Sequence, residues 1–162
     1  AKDTLTKTGK DELTFLFTAN LGEPIRPLLK VASGGELSRV ALAIKTVLLN
    51  ASGVPTMVFD EIDTGVGGVT AQKMAEKIAV IAKVGQVLCI THLPQIASFA
   101  DRHLLIRKES TGGRTSTGLT VLDEEGRIQE LMRMTVGDNV SEVAYANAKE
   151  LLAAAAQNKQ AR

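Results

Sequence analysis

Three short groups of residues have the types and spacing to do chemistry. The first is Asp60 and Glu61, adjacent carboxylates that follow the apolar run 56–59 without a break. One carboxylate of such a pair can hold a hydrated cation, because Mg2+ takes only one or two protein carboxylates beside phosphate and water. The other can orient or deprotonate a water molecule. Adjacent side chains in a strand point to opposite faces, so if strand geometry persists through them the two acids cannot share one job. A solvated acidic strand end fits the same residues. The second group is Thr91-His92, which closes the apolar run 87–90 with polar chemistry. The third is Ser33-Gly34-Gly35-Glu36. Ser33 with Glu36 three residues on makes a capping box. The first turn behind it is almost bare of side chains, and it offers free N–H groups and the positive end of a helix dipole to a phosphate. An ordinary capped helix, with glycines for close packing, fits as well.

The elements that must position these groups follow from periodicity. Leu37, Val40, Ala41, Ile44 and Leu48 recur at helical spacing behind the glycines, and Gly53 and Pro55 end that helix. The run 56–59 reads as a strand buried on both faces. Asp63, Gly65, Gly67 and Gly68 form a glycine-rich loop, open to close backbone approach or to service as a plain connector. Residues 69–83 form a helix with Ala71, Met74, Ala75, Ile78 and Ala82 on one face. Residues 86–91 form the next strand, parallel to the previous one because the connection crosses over through a helix. Ligands in open α/β sheets bind beyond the carboxyl ends of the strands, where Asp60, Glu61 and His92 then share one edge.

The rest of the chain supports this arrangement. Residues 1–12 are a polar lead, 13–18 favour a strand, and 20–27 are a loop. Pro94 opens a short helix over 93–100. Strands at 103–108 and 116–122 flank Gly112-Gly113 as a hairpin, whose Arg107, Lys108 and Arg114 form a small basic patch or a solvated face. Helices follow over 124–134 and 141–156, the latter with Val143, Ala144, Leu151, Leu152 and Ala155 on one side, and 157–162 is a polar tail.

At 162 residues, 44% of them hydrophobic, the chain is one domain or part of one, with an aliphatic core since it has no tryptophan and one tyrosine. The net charge of +1 argues against a strong general footprint for nucleic acid. A single cysteine, Cys89 in an apolar run, points to a reducing compartment without a disulfide framework. No run is long enough for a membrane-spanning helix, and no signal-peptide pattern opens the chain. The phosphate-cradling pattern G-x-x-x-x-G-K-[ST] is absent: Gly9-Lys10 lacks the upstream glycine, and Lys45-Thr46 lies inside a helix.

The ordered set of Ser33-Gly34-Gly35-Glu36, then Phe59-Asp60-Glu61, then Thr91-His92 resembles the C-terminal half of an ABC-type ATPase head, with its signature motif, Walker B with the following glutamate, D-loop and H-loop. The flanks narrow the likeness. Residues 24–39 (Pro-Ile-Arg-Pro-Leu-Leu-Lys-Val-Ala-Ser-Gly-Gly-Glu-Leu-Ser-Arg), 59–68 (Phe-Asp-Glu-Ile-Asp-Thr-Gly-Val-Gly-Gly), 91–96 (Thr-His-Leu-Pro-Gln-Ile) and 146–152 (Ala-Asn-Ala-Lys-Glu-Leu-Leu) resemble the RecN family of bacterial SMC-like DNA repair proteins. The resemblance implies an α/β fold with a mainly parallel sheet flanked by helices, followed by a hairpin and C-terminal helices. Residues 13–156 are its lobe.

The resemblance also implies roles. Asp60 supports Mg2+, Glu61 polarises the attacking water, and His92 contacts the γ-phosphate of ATP. Ser33 and Gly35 touch the ATP held by the opposite head, Gly34 shapes the turn, and Asp63 sits in the loop that communicates across a head dimer. Glu36 replaces the glutamine of many transporter signatures, and Arg39 pairs with it or faces a partner. The implied partners are an N-terminal lobe carrying Walker A, a second head in an ATP-sandwiched homodimer, and DNA, all in the bacterial cytoplasm at the nucleoid and with no membrane. Without Walker A, this chain alone is expected to hydrolyse ATP negligibly. A transporter nucleotide-binding half, and a non-enzymatic module that docks its N-terminal lobe or DNA, are the competing readings.

Overall fold

The computed structural model describes residues 5, 7, 9–18, 22–48, 55–111, 114–139 and 141–161. Strand β1 (Leu16–Phe17) pairs antiparallel with β2 (Arg26–Pro27), which runs straight into a one-turn helix, α1 (Leu28–Val31). The expected strand over 13–18 thus shrinks to two residues, and part of the expected loop pairs with it.

Helix α2 (Gly34–Val47) begins where the capping box places it. The Ser33 hydroxyl accepts the Glu36 N–H at 3.3 Å, and the Glu36 carboxylate accepts the Ser33 N–H at 2.7 Å. Its apolar stripe is only partly covered. Leu42 and Gly35 are buried, whereas Ile44, Val47 and Leu48 stand exposed. The residues expected to end this helix, Gly53 among them, lie outside the described part, although Pro55 is within it.

Strand β3 (Thr56–Phe59), helix α3 (Gly68–Ala82) and strand β4 (Gln86–Cys89) form the expected β-α-β unit, with β3 and β4 parallel and Phe59 opposite Cys89. Met57, Phe59, Val87 and Cys89 face the main core, which Leu42, Ile62, Met74, Ala75, Ile78, Ile81, Ile96, Phe99 and Ala155 complete. The other face corrects the expectation of a strand buried on both sides: Val58, Leu88 and Ile90 are 64%, 45% and 55% exposed.

After the short helix α4 (Pro94–Ala97), β5 (Leu104–Thr111) and β6 (Arg114–Val121) form an antiparallel hairpin. Its Gly112-Gly113 turn lies outside the described residues, as does the Arg114 side chain, while Arg107 and Lys108 are exposed. Helices α5 (Glu124–Val136) and α6 (Glu142–Gln160) pack through Ile128, Leu131, Met132, Ala144 and Ala148. Helix α6 runs on through residues expected to be a tail. Lys159 reaches Asp101 at 2.6 Å, and Asn158 donates to Glu76 at 3.2 Å. Val143, expected on the buried side, is exposed, and Ala148 takes its place in the seam.

The fold is α/β, but the mainly parallel sheet is not borne out. Among the described residues there are three two-stranded sheets, of which only β3–β4 is parallel. The reason lies in the connections. The helix α3 between β3 and β4 carries the chain back for a parallel strand, whereas β5 and β6 follow each other directly and must run antiparallel. No helix among the described residues is long and apolar enough to cross a membrane.

Candidate active site

Strand β3 ends at Phe59, and the Ile90 N–H still bonds the Phe59 carbonyl at 2.9 Å. Asp60-Glu61 and Thr91-His92 therefore leave the sheet from the same end, as the parallel order requires. Beyond it the chain does not stay extended. Glu61 adopts φ +56°, a left-handed conformation uncommon for a residue with a side chain. The turn that follows is closed by Thr64 N–H to the Glu61 carbonyl at 3.2 Å and Val66 N–H to the Asp63 carbonyl at 3.1 Å. Alternation of faces, the expectation for Asp60 and Glu61, thus ends at this turn. Asp60 Oδ1 accepts the Glu61 N–H at 2.9 Å, and both acids are exposed.

Helix α2 grips this turn from one side. Ser38 Oγ donates to the Asp60 carbonyl at 3.0 Å. Arg39 Nη1 donates to the carbonyls of Ile62 and Thr64 at 3.3 and 3.0 Å. This corrects the expected Arg39–Glu36 pairing. The guanidinium spends its hydrogen bonds on the loop, and its charge is only the last cause holding the Glu36 carboxyl below its ordinary value. The Ser33 N–H and hydroxyl are the first causes.

The two glycines set how close α2 can come. A Cβ on Gly35 would lie 2.8 Å from the Glu61 carbonyl oxygen, and one on Gly34 would lie 2.9 Å from a Glu61 carboxylate oxygen. The first clash is with backbone and cannot be relieved by a side-chain swing; the second can. Gly35 is buried under the turn, while Ser33 and Gly34 remain exposed. The presentable part of the glycine turn is therefore Ser33-Gly34, with Gly35 serving the internal contact.

Asp63 grips the turn from the other side. Asp63 is 2% exposed, and one of its carboxylate oxygens accepts the Thr91 hydroxyl at 2.6 Å and the His92 N–H at 2.8 Å and lies 3.0 Å from His92 Nδ1. The Thr91 oxygen in turn accepts the Leu93 N–H at 3.0 Å. A carboxylate can only accept, so this approach favours the ring form with its proton on Nδ1, which leaves Nε2 to face a ligand. The side chain of Asp63 thus points inward, into the contact between the 60–64 turn and the His92 loop. The His92 ring stays largely exposed, at 70%. Behind the site, burial first and then the charges of Asp63 and Asp60 push the Cys89 thiol up to about 11.

The site residues meet in two linked pairs. Glu61 lies against Gly34-Gly35, and His92 lies against Asp63, with the 60–64 turn joining them. Sequence reasoning missed Ser38 and Arg39 as anchors of that turn. Their helical position was legible, but the backbone carbonyls they reach are 22 to 25 residues away. Among the described residues no three His, Cys, Asp or Glu side chains converge as a metal site. Asp60 alone fits the donor set of a cation that draws its other ligands from phosphate and water.

No family model matches the chain. Proteins described as DNA repair protein RecN do. The one from Halalkalibacterium halodurans is 49% identical over 146 residues, which is 90% of this chain and 26% of that protein. Those from Treponema pallidum and Bacillus subtilis are each 50% identical, over 93% and 96% of this chain. Over nine-tenths of its length, the chain is similar to these RecN proteins. It spans about a quarter of the length of these RecN relatives. A solved structure described as "Structural biochemistry of ATP-driven dimerization and DNA stimulated activation of SMC ATPases" shares 23% identity, covers 70% of this chain and 67% of its own, and has a TM-score of 0.47, too loose a likeness to bear on function. The RecN likeness spans Ser33, Asp60, Glu61 and His92 alike, since at most a tenth of the chain falls outside the aligned region.

Proposed function

We propose that this chain is the C-terminal lobe of an SMC-like ATPase head acting in bacterial DNA double-strand break repair and recombination, in the cytoplasm at the nucleoid. The observation that carries the reading is the meeting of three groups on one turn: the glycine-opened end of α2, the carboxylates beyond β3, and the His92 loop beyond β4. In this reading Glu61 orients and polarises the water that attacks the γ-phosphate of ATP. Asp60 holds Mg2+, which screens phosphate charge when bound. His92, its ring oriented by Asp63, turns Nε2 toward the γ-phosphate. Ser33 and Gly34 meet the nucleotide seated on a second head, so that closure of a homodimer completes each site. Glu36 holds the cap that aims those N–H groups. The α- and β-phosphates are cradled by an N-terminal lobe bearing Walker A, so this chain alone turns over ATP negligibly.

The test is to combine the chain with an N-terminal RecN head lobe and measure ATP hydrolysis with and without DNA. Recovered, DNA-responsive turnover is expected. In that assembly Glu61→Gln should lower the rate about 10²–10⁴-fold, the usual cost of losing a general base, while the ATP-bound dimer persists. Turnover by this chain alone that Glu61→Gln abolishes would overturn the reading.

A second reading rests on the bare face of β3–β4, where Val58, Leu88 and Ile90 are exposed. There the chain is a docking module for its N-terminal lobe or DNA. Complex formation without turnover favours it.

A further inference from the structure

The 60–64 turn is odd in one respect. Its key acid, Glu61, sits in the left-handed region at φ +56°, which strains a residue with a side chain and persists only where the surroundings over-determine it. The surroundings that do so come from α2. Ser38 holds the carbonyl before Glu61, and Arg39 holds the two carbonyls at Ile62 and Thr64 that follow it. Gly35 lets the helix lie flat on the carbonyl of Glu61 itself. Arg39 Nη1 also lies 3.2 Å from where a Gly35 Cβ would be, so the guanidinium fills the space between helix and turn.

We propose that Arg39 is a positioning residue for Glu61: by tying the Ile62 and Thr64 carbonyls to the second turn of α2, it fixes the left-handed bend that presents the Glu61 carboxylate. It rests on the proposed role of Glu61 as the residue that orients water. A consequence is that the helix whose first turn carries Ser33 and Gly34 also sets the aim of Glu61 in the same chain. Displacement of α2 by a ligand at its N-terminus is then felt at Glu61 through Arg39, with Ser38 holding the carbonyl before it. Arg39 itself makes no contact with nucleotide in this scheme.

The experiment places Arg39→Ala, Arg39→Lys and Glu61→Gln, singly and as the Arg39→Ala/Glu61→Gln pair, in the full-length RecN-type protein. Arg39→Ala is expected to lower kcat between about 10- and 100-fold, the scale of a small misplacement of a reacting group, with KM for ATP unchanged. Arg39→Lys keeps the charge and N–H donors on a stem one bond shorter, and should recover part of the loss. In the pair, Arg39→Ala should add nothing to Glu61→Gln, since it acts through that carboxylate. Hydrogen exchange supplies a readout independent of turnover: the Thr64 and Val66 amides should exchange faster in both Arg39 variants, with α3 amides unchanged. If Arg39→Ala folds poorly, Arg39→Lys decides by the same kcat and exchange criteria.

A rise in KM with kcat preserved would overturn the inference by making Arg39 a nucleotide contact. Additive losses in the pair would overturn it as well. Unchanged kcat in Arg39→Ala beside a Glu61→Gln variant that has lost turnover sinks the inference and leaves the proposed function standing. Undiminished turnover in Glu61→Gln sinks both.

Discussion

The 60–64 turn and the α5–α6 pair are built by opposite means. Around the turn, Ser38, Arg39 and Asp63 bond groups 22 to 29 residues away, most of them backbone, while Asp60, Glu61 and His92 remain exposed. Between α5 and α6, Ile128, Leu131 and Met132 are buried against Ala144 and Ala148, and the polar contacts are mostly local: Asp123 caps α5, Ser141 caps α6, and Glu130 pairs with Arg133 one turn on, while Tyr145 Oη donates to Glu125 at 3.2 Å across the exposed rim of the pair. Apolar burial is non-directional and sets stability, whereas hydrogen bonds from side chain to backbone fix the aim of individual groups. The site thus gets its geometry from directed contacts. The α5–α6 pair gets its permanence from area.

Substitutions in the two regions should therefore fail differently. The largest loss of stability is expected from Leu131→Ala. Its side chain is fully buried, and truncation of such a leucine costs about 2–5 kcal/mol. Denaturant unfolding should show that loss, with the turnover of the folded protein in the full assembly unaffected. An effect confined to turnover would erase the contrast.

Asp63→Ala should cost less, about 1–3 kcal/mol, because it leaves the Thr91 hydroxyl and the His92 N–H without their buried acceptor. Unlike Leu131→Ala it should also free the His92 ring. NMR of the imidazole nitrogens would then show the Nδ1-protonated form losing its dominance. An unchanged spectrum would mean that Asp63 serves packing alone.

The smallest effect is a pH dependence at the start of α2. Glu36 has an ordinary value near 4.5 and is held below it, first by the Ser33 N–H and then by the Ser33 hydroxyl, with burial opposing and Arg39 a lesser help. A depressed folded value means that the contribution is fully present above the unfolded value and is lost as pH falls through the folded one. Thermal melts of the native chain should therefore lose this contribution below about pH 4.5. Glu36→Gln, which keeps an acceptor but does not titrate, should flatten that limb. An identical acid limb in both proteins would remove Glu36 from the cap.

Much of this arrangement was legible in the sequence because its causes are local. The capping box at Ser33 and Glu36, the apolar run 56–59 and the helix-borne crossover to 86–89 each depend on neighbours within a few residues, and each appears as expected. The shared edge of Asp60, Glu61 and His92 follows from the parallel order alone. Local pattern failed where burial depended on a distant surface. Val58 and Leu88 read as core and stand exposed, while Leu42 within α2 and Ala148 within α6 were not singled out and are buried. The amphipathic stripe of α2 has the right period, but period reports only that one face is apolar, not how much of it is covered.

The sequence by itself determined which residues could do the chemistry, the caps and strand ends on which they sit, and the likeness to RecN proteins. Only the tertiary structure decided how they are aimed. It turned Asp63 inward to hold His92, sent Arg39 to the loop carbonyls instead of to Glu36, and bent Glu61 into a left-handed turn beneath Gly35. The physical reason is range. Caps, periods and strand ends are set by groups a few bonds apart, whereas a hydrogen bond between a side chain and a carbonyl more than twenty residues away exists only once packing has brought the two together.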